Sequence, residues 1–264
     1  MIQGFAQLPM YTAPARVQQA SESWLRHIVQ LLGAERLPGE GLELARLWLS
    51  PQLLLAQTCG YPLMTRLQDK VQVAGRPVYE LPHSSEGNHC SLLMVRADDP
   101  RTRLVEFRGS HGLINSDDSN SGMNLLRHQL APLQQDGRFF ARVCATGGHR
   151  ASLLRLKEGR GDLAAVDSVT YDYLARDASE EVAGLRILTH SAVSPCLPYI
   201  TALEGDAAYA ERLREAMNQA LADLPEVAQV LAIREVLPAS PADYQVLLDY
   251  ERQARTWGLP LLLP

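Results

Sequence analysis

Short, continuous apolar runs separated by helix-period segments constrain this chain most. Residues 52–58 (QLLLAQT), 89–97 (HCSLLMVRA) and 162–168 (DLAAVDS) place apolar side chains at successive positions. A strand with one wet face alternates apolar and polar residues; a run without alternation reads as a strand covered on both faces. Between these runs lie segments of helical period. Residues 21–33 carry Trp24, Ile28, Leu31 and Leu32 on one side and meet Gly33 as a stop. Further strands are predicted at 5–11, 112–116, 138–146 and 185–190, and further helices at 149–159, 206–224 and 241–258. The order predicts an α/β fold built on a mainly parallel sheet.

The chain has 264 residues, enough for one large domain or two lobes. Its net charge of −5 provides no broad basic field, so nucleic acid is not an expected partner. The sequence holds no apolar run long enough to span a bilayer, and membrane insertion is not expected. The opening residues, MIQGFAQLPMY, lack both a basic segment and a continuous apolar core of the secretory type. They predict a cytoplasmic protein, or a periplasmic one if the sequence is a processed mature form. Cys59, Cys90, Cys144 and Cys196 are scattered, with no CxxC pair and no zinc-finger spacing. They read as free thiols, and neither a metal nor a cofactor is expected.

Residues 112–133 (GLINSDDSNSGMNLLRHQLAPL) carry the clearest chemical signal. A short apolar strand runs into hydroxyl and amide side chains, and Ser119, Asn120, Ser121 and Gly122 then open a helix. Met123, Leu126, Leu130 and Leu133 share one face of that helix. A first helical turn offers unpaired N–H groups and the positive end of the macrodipole. Two serine hydroxyls beside a glycine, which lets a ligand approach the backbone, suit a small oxyanion. The plainer alternative makes Ser119 or Ser121 an N-cap and nothing more.

Ligands of open α/β sheets bind beyond the carboxyl ends of the strands. Those positions hold Tyr11 after the first strand, then Thr58, Cys59, Gly60 and Tyr61 after the second. They hold the Ser119–Gly122 turn after 112–116, His149 after 138–146, and Asp167 with Ser168 after 162–166. Each has a plain alternative: a surface histidine, a capping aspartate, packing tyrosines, a tight turn at Cys59-Gly60. Their recurrence at one end of the predicted sheet is the stronger argument.

With these residues in view, the chain resembles the phosphonate/phosphate/phosphite branch of the type 2 periplasmic binding proteins, the solute-binding components of ABC importers. The resembling segments are LPMY (8–11), LLAQTCGYPL (54–63), HCSLLMVRADDP (89–100), GLINSDDSNSGMN (112–124), residues 146–170 and SPCLPYIT (194–201). The resemblance implies two α/β lobes joined by hinge strands that close on a ligand in the cleft between them. Lobe one would comprise residues 1–90 plus 190–264 and lobe two residues 91–189. It further implies that Ser119, Asn120, Ser121 and His149 hold the oxyanion, with Thr58 and His89 also in the site. Tyr11 and Tyr61 would close over the ligand, and Asp167 would accept from a protonated ligand oxygen or an amine. Where the family commonly has an aromatic residue, this chain has His89-Cys90.

The expected function is therefore non-catalytic capture of a small oxyanion, for ABC-type uptake or intracellular sensing, with an ABC permease as candidate partner. Two alternatives stand beside it. One is an enzyme of the same fold, using Cys144 or Cys59 with His149 as nucleophile and base and Asp167 as orienter. The other is a binder of an organic ligand resembling a thiamine precursor, stacked on Tyr11, Tyr61 and His89.

Overall fold

The computed structural model describes residues 2–39, 41–203 and 208–262. In chain order its strands are β1 (Ile2–Gln7), β2 (Ala34–Arg36), β3 (Leu53–Gln57), β4 (Val71–Tyr79), β5 (Asn88–His89), β6 (Ser91–Arg96) and β7 (His111–Ile114). They continue with β8 (Arg142–Ala145), β9 (Leu163–Asp167), β10 (Leu185–His190), β11 (Ser194–Pro195), β12 (Tyr199–Ala202) and β13 (Ile233–Leu237). The chain divides into two compact units, Met1–Asn88 with Pro195–Tyr244 and His89–Ser194 with Gln245–Pro264.

The first unit is built on a six-stranded sheet of order β13-β4-β12-β3-β1-β2. Every residue of β3 is buried, as its unbroken apolar run predicts. Helices Ala15–Leu31 and Tyr209–Asp223 pack on each other in this unit. Trp24 joins them: its ring is fully buried and its Nε1 donates to the Met217 carbonyl at 3.2 Å. It also meets Tyr199 of β12 edge-on, with centroids 5.7 Å apart. The first helix begins before the predicted residue 21 but stops where expected, with Gly33 at φ 59°. Residues 206 and 207 of the helix predicted over 206–224 lie outside the described residues.

The second unit carries a five-stranded sheet of order β10-β6-β9-β7-β8. Leu92 and Met94 of β6, Leu113 of β7 and Ala164 and Val166 of β9 form its core, with Leu153, Leu156 and Leu174 from the helices. Removing one such leucine side chain typically costs about 2–5 kcal/mol.

Two expectations need correction. The sheets are mixed rather than mainly parallel. Pairing is parallel across β2-β1-β3 and β9-β7-β8. It is antiparallel for β3-β12-β4-β13 and β9-β6-β10. A strand buried on both faces has the same continuous apolar pattern in either direction, so sequence pattern does not reveal strand polarity. The second correction concerns the C-terminal segment, expected with residues 190–264 in lobe one. From Gln245 onward it belongs to the second unit. Its helix Gln245–Thr256 is held there by Asn124 Nδ2, which donates to the Leu247 carbonyl at 3.0 Å. Arg127 Nη1 donates to the Pro260 carbonyl at 2.8 Å.

Candidate functional site

Strand direction gathers the polar residues of the second unit. Strands β7, β8 and β9 run parallel, so their carboxyl ends share one edge of the sheet. Strand β6 is antiparallel to β9, with Ser91 opposite Asp167, so β6 starts at that same edge. The turn after β7 carries Ser119–Gly122, the segment after β8 carries His149, β9 ends in Asp167, and His89 lies just before β6.

The helix after β7 opens as a π-helical turn, Asn120–Asn124, before the α-helix Leu125–Leu130. Such turns frequently accompany functional sites. Ser119 is its N-cap: Gly122 N–H donates to Ser119 Oγ at 3.0 Å. The capping alternative is therefore realised at Ser119, whose hydroxyl hydrogen can still be donated elsewhere. Asn120 Nδ2 donates to Ser194 Oγ at 2.8 Å, and Asn120 Oδ1 accepts from Asn124 Nδ2 at 3.3 Å. This side chain holds the turn.

Ser121 is different. Its Oγ lies 3.2 Å from His149 Nε2. Its carbonyl accepts from Ser91 Oγ at 2.7 Å, which fixes the turn to β6. Burial lowers the pKa of His149, with Asp167 and the Ala165 backbone acting the other way and His89 adding to the lowering. A neutral imidazole has one donor and one acceptor nitrogen. If Nε2 carries the hydrogen, it donates to Ser121 Oγ and leaves the hydroxyl hydrogen directed outward.

Gly122 corrects another expectation. The space of its missing side chain is filled by Asn115: a Cβ built there would lie 1.8 Å from Asn115 Oδ1. Glycine serves close packing at this position, not the approach of a ligand. Asn115 Nδ2 lies 3.4 Å from His149 Nε2 and can donate to it only in the tautomer whose Nε2 carries no hydrogen. Sequence reasoning missed Asn115, although it comes directly after β7, where the strand-end rule points.

Asp167 caps the helix Ser168–Asp177, accepting from Thr170 N–H at 3.0 Å. Its other oxygen, Oδ2, lies 2.9 Å from His89 Nδ1, and both side chains are almost wholly buried. Burial alone would raise the Asp167 pKa. The charge and hydrogen bond of His89, together with His149 and the Thr170 N–H, outweigh it and hold the carboxyl below its ordinary value. The carboxylate expected to meet the ligand is thus paired with a neighbouring histidine.

The remaining expected residues belong to the first unit, where β1 and β3 run parallel and end at a common edge. Thr58 is fully buried; its N–H donates to the Pro198 carbonyl at 3.1 Å and its Oγ1 faces the Cys59 carbonyl at 3.4 Å. Tyr61 is buried, and its carbonyl accepts from Thr65 Oγ1 at 2.9 Å. Tyr11 meets Tyr79 edge-on at 6.1 Å and lines a hollow of about 630 Å³ with Gln7, Pro9, Arg26 and Arg36. Among the described residues, no group of three or more His, Cys, Asp or Glu is arranged to hold a metal. No described helix is long and apolar enough to cross a membrane.

The binding-protein component of an ABC phosphonate transporter from Pseudomonas aeruginosa has a similar fold, with TM-score 0.78 and 15% identity over 97% of this chain and 88% of that one. PhnD1 from Prochlorococcus marinus, in complex with methylphosphonate, has TM-score 0.72 and 10% identity over 96% and 98% of the two chains. A Xanthomonas citri protein bound to ATP has TM-score 0.68 and 15% identity over 97% and 98%. At these identities the likeness shows the fold alone. A search of curated proteins found no match. The family described as "ABC transporter, phosphonate, periplasmic substrate-binding protein" matches residues 51–244. That span is well over half of the chain and includes the whole Ser119–Asp167 constellation, so this chain belongs to the phosphonate-binding periplasmic substrate-binding proteins of ABC transporters.

Proposed function

We propose that this chain captures a small oxyanion of the phosphonate, phosphate or phosphite type without transforming it, and that the second unit provides the anchor. The carrying observation is the Ser121–His149 pair at the opening of the Asn120–Asn124 turn. A ligand oxygen would take the Ser121 hydroxyl hydrogen, the Ser119 hydroxyl and first-turn N–H groups. His149 would polarise Ser121 from behind, and burial keeps these bonds strong because water does not compete for the donors. Methylphosphonate and ATP, the ligands of two structural neighbours, are both phosphorus oxyanions. Tyr11, Thr58 and Tyr61, which lie in the first unit, are to be tested separately by substitution.

The thiols support binding over catalysis. Burial pushes the Cys90 thiol up to about 11, against the lowering effect of the Ser168 hydrogen bond. Cys144 Sγ lies 2.7 Å from Arg155 Nη1, while His149 Nε2 is engaged with Ser121. The deciding experiment is a thermal-shift series on ligand-stripped protein with phosphate, phosphite, methylphosphonate, a sulfonate and a pyrimidine. A ligand at about 100-fold over its Kd adds roughly 2.7 kcal/mol of stability. A rise with a phosphorus oxyanion that disappears in Ser121→Ala supports the proposal; a rise with the pyrimidine alone overturns it. Delivery to an ABC permease and intracellular sensing differ in where the protein resides, and cell fractionation separates them.

A further inference from the structure

We infer that Asp167 is a positioning residue for His89 and that the site consequently selects oxyanions without an amine. This rests on the oxyanion reading of the second unit. The buried Asp167 carboxylate has one oxygen on the Thr170 N–H and the other 2.9 Å from His89 Nδ1. A carboxylate engaged in this way is a poor partner for a ligand ammonium group. The contact also holds the ring of His89, with Nδ1 against Asp167 Oδ2 and Nε2 as the remaining polar atom. His89 Nε2 is buried and has no hydrogen-bond partner among the described residues.

A buried polar atom without a partner is costly, and in a binding protein a ligand can supply the partner. The location agrees. Two positions along the chain, Ser91 donates to the Ser121 carbonyl, and His149 lies within electrostatic reach of both His89 and Asp167. His89 thus supplies a ligand contact from the start of β6 that complements Ser121 from the turn. A ligand oxyanion at Nε2 and Asp167 at Nδ1 would flank the ring on its two polar edges.

Calorimetry with methylphosphonate and 2-aminoethylphosphonate tests this on the whole chain. Wild type is expected to bind methylphosphonate at least as tightly as the amine-bearing ligand. Asp167→Asn keeps the cap acceptor but loses the charge, and should weaken methylphosphonate about tenfold. His89→Ala should do the same, and the double variant should be no weaker than His89→Ala, because Asp167 acts through His89. A preference of tenfold or more for the amine-bearing ligand, abolished in Asp167→Asn, would overturn the inference while leaving the oxyanion reading intact. Failure of wild type to bind either ligand would overturn both. If the variants do not fold, histidine-selective ¹⁵N NMR on wild type reads the same point. The Nε2 resonance of His89 should shift on adding methylphosphonate; an unmoved Nε2 resonance overturns the inference.

Discussion

Replacing Ser121 by alanine removes one hydroxyl and little else. The backbone carbonyl that accepts from Ser91 is retained, and so is the Ser119 cap that receives the Gly122 N–H. The side-chain partner lost is His149 Nε2 at 3.2 Å. The stability change is therefore that of one neutral hydrogen bond, about 0.5–1.5 kcal/mol. The affinity change is larger, because the hydroxyl would donate to a charged oxygen: about 1.5–3 kcal/mol. At about 1.4 kcal/mol per decade this is roughly a 10- to 150-fold rise in Kd. Isothermal titration of ligand-stripped protein with methylphosphonate reads the second quantity, and thermal denaturation without ligand reads the first. A Kd within about twofold of wild type, with Tm lowered, would refute the reasoning: the hydroxyl would then serve only to seat His149. Ser119→Ala is the complementary variant, since loss of an N-cap should cost about 0.5–2 kcal/mol of stability. Its effect on Kd should be smaller than that of Ser121→Ala.

Other expectations rest on single contacts. Gly122→Ala should displace the Asn115 side chain and destabilise the protein by about 1–3 kcal/mol, the usual range for overpacking; Gly122→Ala with Asn115→Ala should recover part of the lost Tm, and no recovery would point to the backbone instead. Asp99 has its pKa lowered to about 2, chiefly by the Arg101 hydrogen bond. A depressed carboxyl stabilises the fold above its unfolded value of 3.8 and loses that contribution as pH falls toward about 2, so Asp99→Asn should flatten the acid-denaturation curve in that window. An unchanged curve would mean that the pair contributes nothing there. Cys90 and Cys196 are buried while Cys59 and Cys144 are partly exposed. A thiol reagent at about pH 8, near the ordinary thiol pKa, should therefore modify Cys59 and Cys144 in the native protein, and Cys90 only on unfolding. Rapid native labelling of Cys90, read by peptide mass, would contradict its raised pKa.

The buried strands are legible in the sequence because their apolar runs are unbroken. The predicted 52–58, 89–97 and 162–168 appear as Leu53–Gln57, Ser91–Arg96 and Leu163–Asp167. Strands β4, β12 and β13 escape a sequence reading. The first contains Gly75 and Pro77 and the second has four residues, so neither has a clear local signature. Sheet pairing selects them instead. The helix Ser168–Asp177 escapes it as well, although Asp167 reads as a capping residue for a turn at that point.

Local order along the chain thus suffices for the α/β class, for the resemblance to a binding-protein family, and for the strand-end positions where Ser121, His149 and Asp167 appear. These are decided by short-range periodicity and by which residue comes after which strand. Strand polarity, the transfer of the Gln245–Thr256 helix to the second unit, and the partners of each polar side chain come only from long-range packing. Asp167 shows the difference most clearly. Its place at the end of a strand is a local property, but His89, 78 positions earlier, is brought to within 2.9 Å by the antiparallel pairing of β6 with β9. The register of a sheet fixes which distant residues meet, and an unbroken apolar run, buried on both faces, lacks the alternation that would mark its register.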